Sequence, residues 1–204
     1  MSKARLEAFS DGVLAIVITI MVLELVPPHG STLEDLRPLV PVFGAYVLSF
    51  PTLAIWWANH HHLFQAVRVV NGRVLWANML LLFWLSLVPF FTAWMGDTEF
   101  ASLPVALYGA DLVMAAVAYF YLVRALIPIQ PDSTLATAVG SDRKGKISPL
   151  LYVAAVPIAF IAPLVSIGLY VLVAAIWIVP DTRIERAMTH QSSRSRRRNA
   201  RCVS

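Results

Sequence analysis

Arg5-x-x-x-Phe9-Ser10-Asp11-Gly12 opens this chain and leads straight into an apolar run, Val13 to Leu23, that holds a single hydroxyl, Thr19. Polar groups at fixed spacing at the mouth of bilayer-length apolar sequence are expensive, because each must find a partner where water is scarce. The segment therefore reads as a functional transmembrane helix rather than a plain anchor. At about 100° per residue, Phe9, Val13, Ile16, Ile20 and Leu23 share one face with Thr19 at its edge, and Ser10 and Asp11 point away. Such a stripe contacts lipid, packs in a core or lines a pore. The buried partners that Ser10 and Asp11 require place this helix in the interior.

Two other sets of residues invite chemistry. His60, His61 and His62 follow Trp56, Trp57 and Asn59, but successive helical positions diverge by about 100° and cannot converge on one ion, whereas helical chelation uses i and i+4. No metal or cofactor is expected. Hydrogen bonding of His60 or His61 to Asp11 or Ser10 is the better use, and titration of such a histidine near neutral pH would make that contact pH-sensitive. Asp111 follows Tyr108 and Gly109 inside another apolar run with no cation in the span. A carboxyl group there is a functional candidate by default, with an interfacial or subunit contact near the outer helix end as the alternative. Trp84, Trp94, Tyr119 and Trp177 read as interface belts and packing.

The elements that carry these residues follow from composition. With 58% hydrophobic and 14% charged residues and a mean hydropathy of +0.70, the chain is an integral membrane protein. Apolar segments at about 4–26, 41–67, 74–95, 103–127, 148–165 and 167–180, each bounded by charge, proline or glycine, predict an all-α protein of six transmembrane helices. The last two are divided by a very tight turn at Ser166 and Gly168, and Pro157 and Pro163 interrupt them, so five helices with a re-entrant pair is the competing layout. Met1 to Phe9 reads as the start of a retained first helix rather than a signal peptide. Cys202 excludes an internal disulfide.

Lys3, Arg5, Arg68, Arg73, Arg124, Arg143, Lys144, Lys146, Arg183 and Arg186 fall on one set of loops, and Glu34, Asp35, Asp97 and Glu99 on the other with Arg37. Cations are retained on the cytoplasmic side, so both termini are expected there, which requires an even number of spans. The charge of +4 thus reflects topology rather than nucleic-acid affinity. Residues 1–187 form the expected membrane domain and 188–204 a basic cytoplasmic tail. Its arginines, Arg194 to Arg201, enforce orientation or hold anionic lipid headgroups at about 1 kcal/mol per basic residue.

Arg5-x-x-x-Phe9-Ser10-Asp11-Gly12-Val13, continued by Ala15-Ile16-x-Ile18-Thr19-Ile20 and Leu23-Glu24-Leu25, resembles the signature of the transmembrane protein 175 family of potassium channels, in its short prokaryotic branch. Trp57-x-x-His60-His61 extends the resemblance to helix two. It implies a homotetramer of six-helix subunits in a prokaryotic plasma membrane, with a potassium pore lined by the first helices. It also implies that Ile16, with Ile20 and Leu23 beyond it, forms the narrowing. Thr19 takes the position connected with potassium preference. Arg5, Phe9, Ser10, Asp11, Trp57, His60 and His61 become the structural network that ties helix one to its neighbours. Asp11 is expected to take a donor such as Arg5 of a neighbouring subunit or a histidine of helix two.

A fourfold ring of Ile16 would gate by dewetting. No stretch resembles a TVGYG carbonyl filter, so selectivity would come from partial dehydration helped by Thr19. A secondary transporter would need repeats and broken helices in matching halves, and Pro157 and Pro163 have no counterpart in the first half. An enzyme would need paired acid, base or nucleophile groups on facing helices, and these are missing from the sequence. A passive potassium-selective, leak-type channel is the reading, with a transporter or a proton-permeable channel as alternatives.

Overall fold

The computed structural model describes residues 2–130 and 143–178, and these are helices joined by short connections. α1 spans Lys3–Leu23, α2 Val40–Gln65, α3 Gly72–Asp97, α4 Ser102–Leu126, α5 Arg143–Ala159 and α6 Pro163–Ile178, with 3-10 turns at Glu34–Leu39 and Ile127–Ile129. No strand occurs among the described residues. Four helices, α1 to α4 with the adjoining 3-10 turns, are long and apolar enough to cross a membrane. The other two are shorter. At about 1.5 Å per residue, the 17 residues of α5 and 16 of α6 rise roughly 25 Å, just under the ~30 Å of hydrocarbon.

The break before the last helix corrects the sequence expectation. It falls at residues 160–162, not at Ser166 and Gly168. Pro163 begins α6, where its missing N–H removes no helical bond. Ser166 is buried inside α6 and donates to the Ala155 carbonyl at 2.7 Å, closing the α5/α6 hairpin. Pro157 is accommodated within α5. The proposed boundary at 187/188 and the basic tail lie outside the described residues.

α3 and α4 form the central hairpin; α1 packs on α3 and α2, and α5 and α6 pack on α4. Asn71 caps α3, its Oδ1 accepting from the Val74 N–H at 3.0 Å. The α3–α4 turn is tight: Glu99 and Phe100 take φ of 48° and 62°, and the Phe100 N–H donates to the Met95 carbonyl at 2.8 Å. Gly96 lets α3 touch α2, since a Cβ there would fall 2.6 Å from Val42 Cα. The interior is filled by side chains such as Leu14, Leu53, Leu81, Leu85 and Leu112, while Trp76, Phe90, Phe120 and Val153 face outward. An apolar exterior of this kind suits lipid rather than water.

Candidate functional site

One face of α1 is fastened to the rest of the chain. Leu6, Ser10, Leu14, Val17 and Met21, at spacings of three and four, are buried against α3 and α2. Ser10 is the polar member of that row, and its hydroxyl donates to the Leu6 carbonyl at 2.9 Å. With its hydrogen committed, its oxygen accepts from Asn78 Nδ2 of α3 at 2.9 Å. That turns the Asn78 carbonyl oxygen toward His60 of α2, 2.7 Å from Nε2. An amide oxygen only accepts, so His60 carries its proton on Nε2. The result is a one-directional chain, His60 to Asn78 to Ser10 to Leu6, in which all three side chains are buried.

Asp11, one residue further round α1, is fastened to α2 instead. Its Oδ1 accepts from the Trp57 indole N–H at 3.0 Å. Within the chain the donor is thus Trp57 rather than a histidine, and Arg5 stands exposed. The Trp57 ring stacks on His61 with centroids 5.5 Å apart, and His61 Nε2 accepts from Gln65 at 2.8 Å. The three histidines therefore diverge: His60 turns inward against Phe64, His61 lies along the helix surface, and His62 is exposed. Asp11, Ala15, Ile18 and Trp57 line an open groove of about 330 Å³ between α1 and α2.

The opposite face of α1 carries the stripe. In the single chain Phe9 is 52% exposed, Ile16 60%, Ile20 40% and Leu23 77%. Val13 differs, lying half-buried against the core. Thr19 is exposed with this face, and its hydroxyl donates to the Ile16 carbonyl at 2.9 Å, so its oxygen lone pairs remain free to accept.

Sequence reasoning missed the central member of the polar chain, Asn78. It also missed a second buried set, in which the Thr92 hydroxyl donates to the Val88 carbonyl at 2.7 Å, and the Ser49 hydroxyl lies 2.7 Å from that of Thr92 and 3.2 Å from that of Tyr108. Polar residues inside bilayer-length apolar runs were the available signal for both. Of the aromatic residues read as belts, Trp177 donates to Ser148 at 2.8 Å and Tyr119 to the Asn59 carbonyl at 3.4 Å. Asp111 is buried inside the subunit rather than placed at a surface contact.

The family model described as "Endosomal/lysosomal potassium channel TMEM175" matches residues 5–89. A potassium channel of Chryseobacterium sp. (strain P1-3) is 52% identical over 189 residues, which cover 92% of this chain and 98% of that protein. The chain belongs to the TMEM175 family. It is accordingly an ion-channel protein and not an enzyme. Solved architecture agrees with this TMEM175 membership. The crystal structure of a lysosomal potassium-selective channel TMEM175 homolog from Chamaesiphon minutus matches with a TM-score of 0.76 at 27% identity, covering 87% of this chain and 96% of that one. An animal relative, the endosomal/lysosomal proton channel TMEM175 of Gallus gallus, is 38% identical over 113 residues, 50% of this chain and 22% of its own length. The TMEM175 match at residues 5–89 contains Ser10, Asp11, Trp57, His60 and Asn78, so both ends of each bond that holds α1 lie within it.

Proposed function

We propose that the chain is one subunit of a potassium-selective, leak-type channel in a prokaryotic plasma membrane. The subunit crosses the bilayer six times with both termini cytoplasmic, and four copies line a pore with the outer stripe of α1. The observation that carries this reading is the division of α1 into two faces. One is held by directional hydrogen bonds from two other helices, and the other leaves Ile16, Ile20 and Leu23 uncovered. Directional fastening of this kind serves a helix whose rotation matters. Four Ile16 side chains form an apolar constriction that loses water when narrow, with Ile20 and Leu23 extending it.

Thr19 offers hydroxyl oxygens beside the constriction, because its hydrogen is already bound to the Ile16 carbonyl. Potassium sheds water more readily than sodium, so partial dehydration there favours it without a carbonyl filter. The potassium-channel names of the Chryseobacterium and Chamaesiphon relatives support the ion assigned. Purified protein in potassium-loaded vesicles tests the reading: efflux is expected to be electrogenic, to need no coupled ion and to fall when sodium replaces potassium as the permeant cation. Flux that requires a second ion gradient, or that treats the two cations alike, refutes it. The proton-channel name of the Gallus gallus relative favours one addition, proton permeation, which a pH-sensitive dye in the same vesicles measures.

A further inference from the structure

α4 holds a carboxyl group that neither the α1 stripe nor its fastening uses. Asp111 is 2% exposed, and neither of its oxygens meets a hydrogen-bond partner among the described residues. It stands on α4, which packs against α3, α5 and α6, whereas α1 packs on α3 and α2. Several buried hydroxyls of this region are bonded elsewhere: Ser49, Thr92 and Tyr108 to one another, Tyr170 to the Val105 carbonyl at 3.0 Å, and Ser166 to Ala155. A native group left unsatisfied at such burial requires an explanation.

A carboxylate at this place would need a counter-charge, and among the described residues the surrounding helices carry none near its level in their sequences. The charged residues of α3 are Arg73 and Asp97, at its two ends. α6 carries one titratable residue, Tyr170, and α5 carries Tyr152, with Arg143, Lys144 and Lys146 in its first four positions. On α4 itself Tyr108 precedes Asp111 by one turn, Tyr119 and Tyr121 follow on later turns, and Arg124 lies thirteen residues on, about 20 Å along the axis. α2 reaches this layer through Ser49; its titratable residues are Tyr46 near one end and His60, His61 and His62 at the other, with His60 bound to Asn78. An unpaired charge so enclosed is among the most costly arrangements a membrane helix can hold.

We propose that Asp111 is a proton-binding site: its carboxylate takes one proton from solution and is held as the neutral acid in the subunit core, apart from the permeation path. Release of that proton leaves an uncompensated charge among α3, α4, α5 and α6 and loosens their packing. The site stands on burial and the missing partners, so it holds whether or not α1 conducts potassium.

The test is infrared difference spectroscopy on the full-length protein in phosphatidylcholine vesicles, with aspartate carboxyl carbons labelled with carbon-13. Expected is a protonated-acid carbonyl band at neutral pH that shifts with the label, vanishes at alkaline pH and is missing from Asp111→Asn. Glu7→Gln, which removes the carboxylate paired with Lys3 on α1, should retain it. Absence of the band from the labelled wild type at neutral pH, or its survival in Asp111→Asn, overturns the proposal. If Asp111→Asn does not fold, Asp111→Glu serves instead: its band must lose the aspartate label shift, and a band that keeps it overturns the assignment. The thermal midpoint of the wild type should fall as pH rises, because release of the proton leaves a buried charge without a partner in the folded protein. A midpoint that rises with sodium at fixed pH and ionic strength would mean that a metal ion fills the site, and overturns the proposal.

Discussion

Replacing Asn78 by leucine, which keeps the branching at Cγ, breaks both bonds of the chain that joins α1, α3 and α2. The two losses differ. Ser10 keeps its own hydrogen on the Leu6 carbonyl, so losing the Asn78 donor leaves only an acceptor idle and costs about 0.5–1 kcal/mol. His60, 1% exposed, is left with an Nε2–H facing apolar side chains, which costs about 1–3 kcal/mol. The single substitution should therefore destabilise by about 2–3 kcal/mol.

His60→Leu removes the other partner, and once both are apolar much of the penalty disappears, so a double-mutant cycle isolates the pair. Couplings between polar side chains of membrane helices average about 0.6 and reach about 1.7 kcal/mol, because the unfolded chain in the membrane also finds partners. The 2.7 Å separation and complete burial of this pair put it at the upper end, near 1.5 kcal/mol. Equilibrium unfolding in mixed micelles with a rising fraction of denaturing detergent measures all four proteins. Additivity of the two substitutions within about 0.5 kcal/mol would show that the bond contributes nothing, and the reasoning would fail.

Ile16→Asn should raise potassium flux in vesicles several-fold, since a polar ring keeps its water; unchanged flux removes Ile16 from the constriction. Thr19→Val keeps the shape and deletes the hydroxyl, so the preference for potassium over sodium should fall while unfolding, for an exposed group, stays within about 0.5 kcal/mol of wild type. Gly109→Ala would drive a methyl group into the Tyr170 hydroxyl and displace its bond to Val105, costing about 2–3 kcal/mol. Tyr170→Phe in that background should recover part of the loss in the same unfolding assay, and no recovery would place the strain elsewhere.

How much of this was legible beforehand depended on whether the signal was periodic. The two faces of α1 could be read because Phe9, Ile16, Ile20 and Leu23 recur at helical spacing while Ser10 falls opposite, and the burial pattern follows that division. Asn78 could not be assigned a partner, since nothing in the run from Gly72 to Asp97 links it to a serine 68 positions earlier or a histidine 18 positions earlier; only the fold brings them together. Proline misled in one place. Pro163 looked like an interruption, but its fixed φ suits the first position of a helix, and that is where it lies. The sequence offers Asp111 an interfacial or subunit contact near the outer helix end, whereas it is buried within the fold. Charge distribution reports which side of a membrane a loop occupies and says nothing of lateral burial.

The adjacency of Ser10 and Asp11 has a geometric reason. Lipid tails are as apolar as leucine, so packing of Leu6, Leu14 and Val17 gives little preference for one rotation of α1 over another. Directional bonds must set it. Neighbouring residues point about 100° apart, and Ser10 bonds to α3 while Asp11 bonds to α2, so two attachments on different helices fix the rotation of α1. A turn by one residue would put Ala15 or Val17 where Ile16 stands. Asp11→Asn keeps the acceptor for Trp57 and should preserve the orientation, whereas Asp11→Ala leaves one attachment and should let the helix turn. Cysteines placed singly at 15, 16 and 17, with Cys202 replaced by serine, report this through their rates of labelling by a water-soluble thiol reagent. Those rates should keep their order in Asp11→Asn and converge in Asp11→Ala. An unchanged order in Asp11→Ala would mean that apolar packing sets the rotation after all.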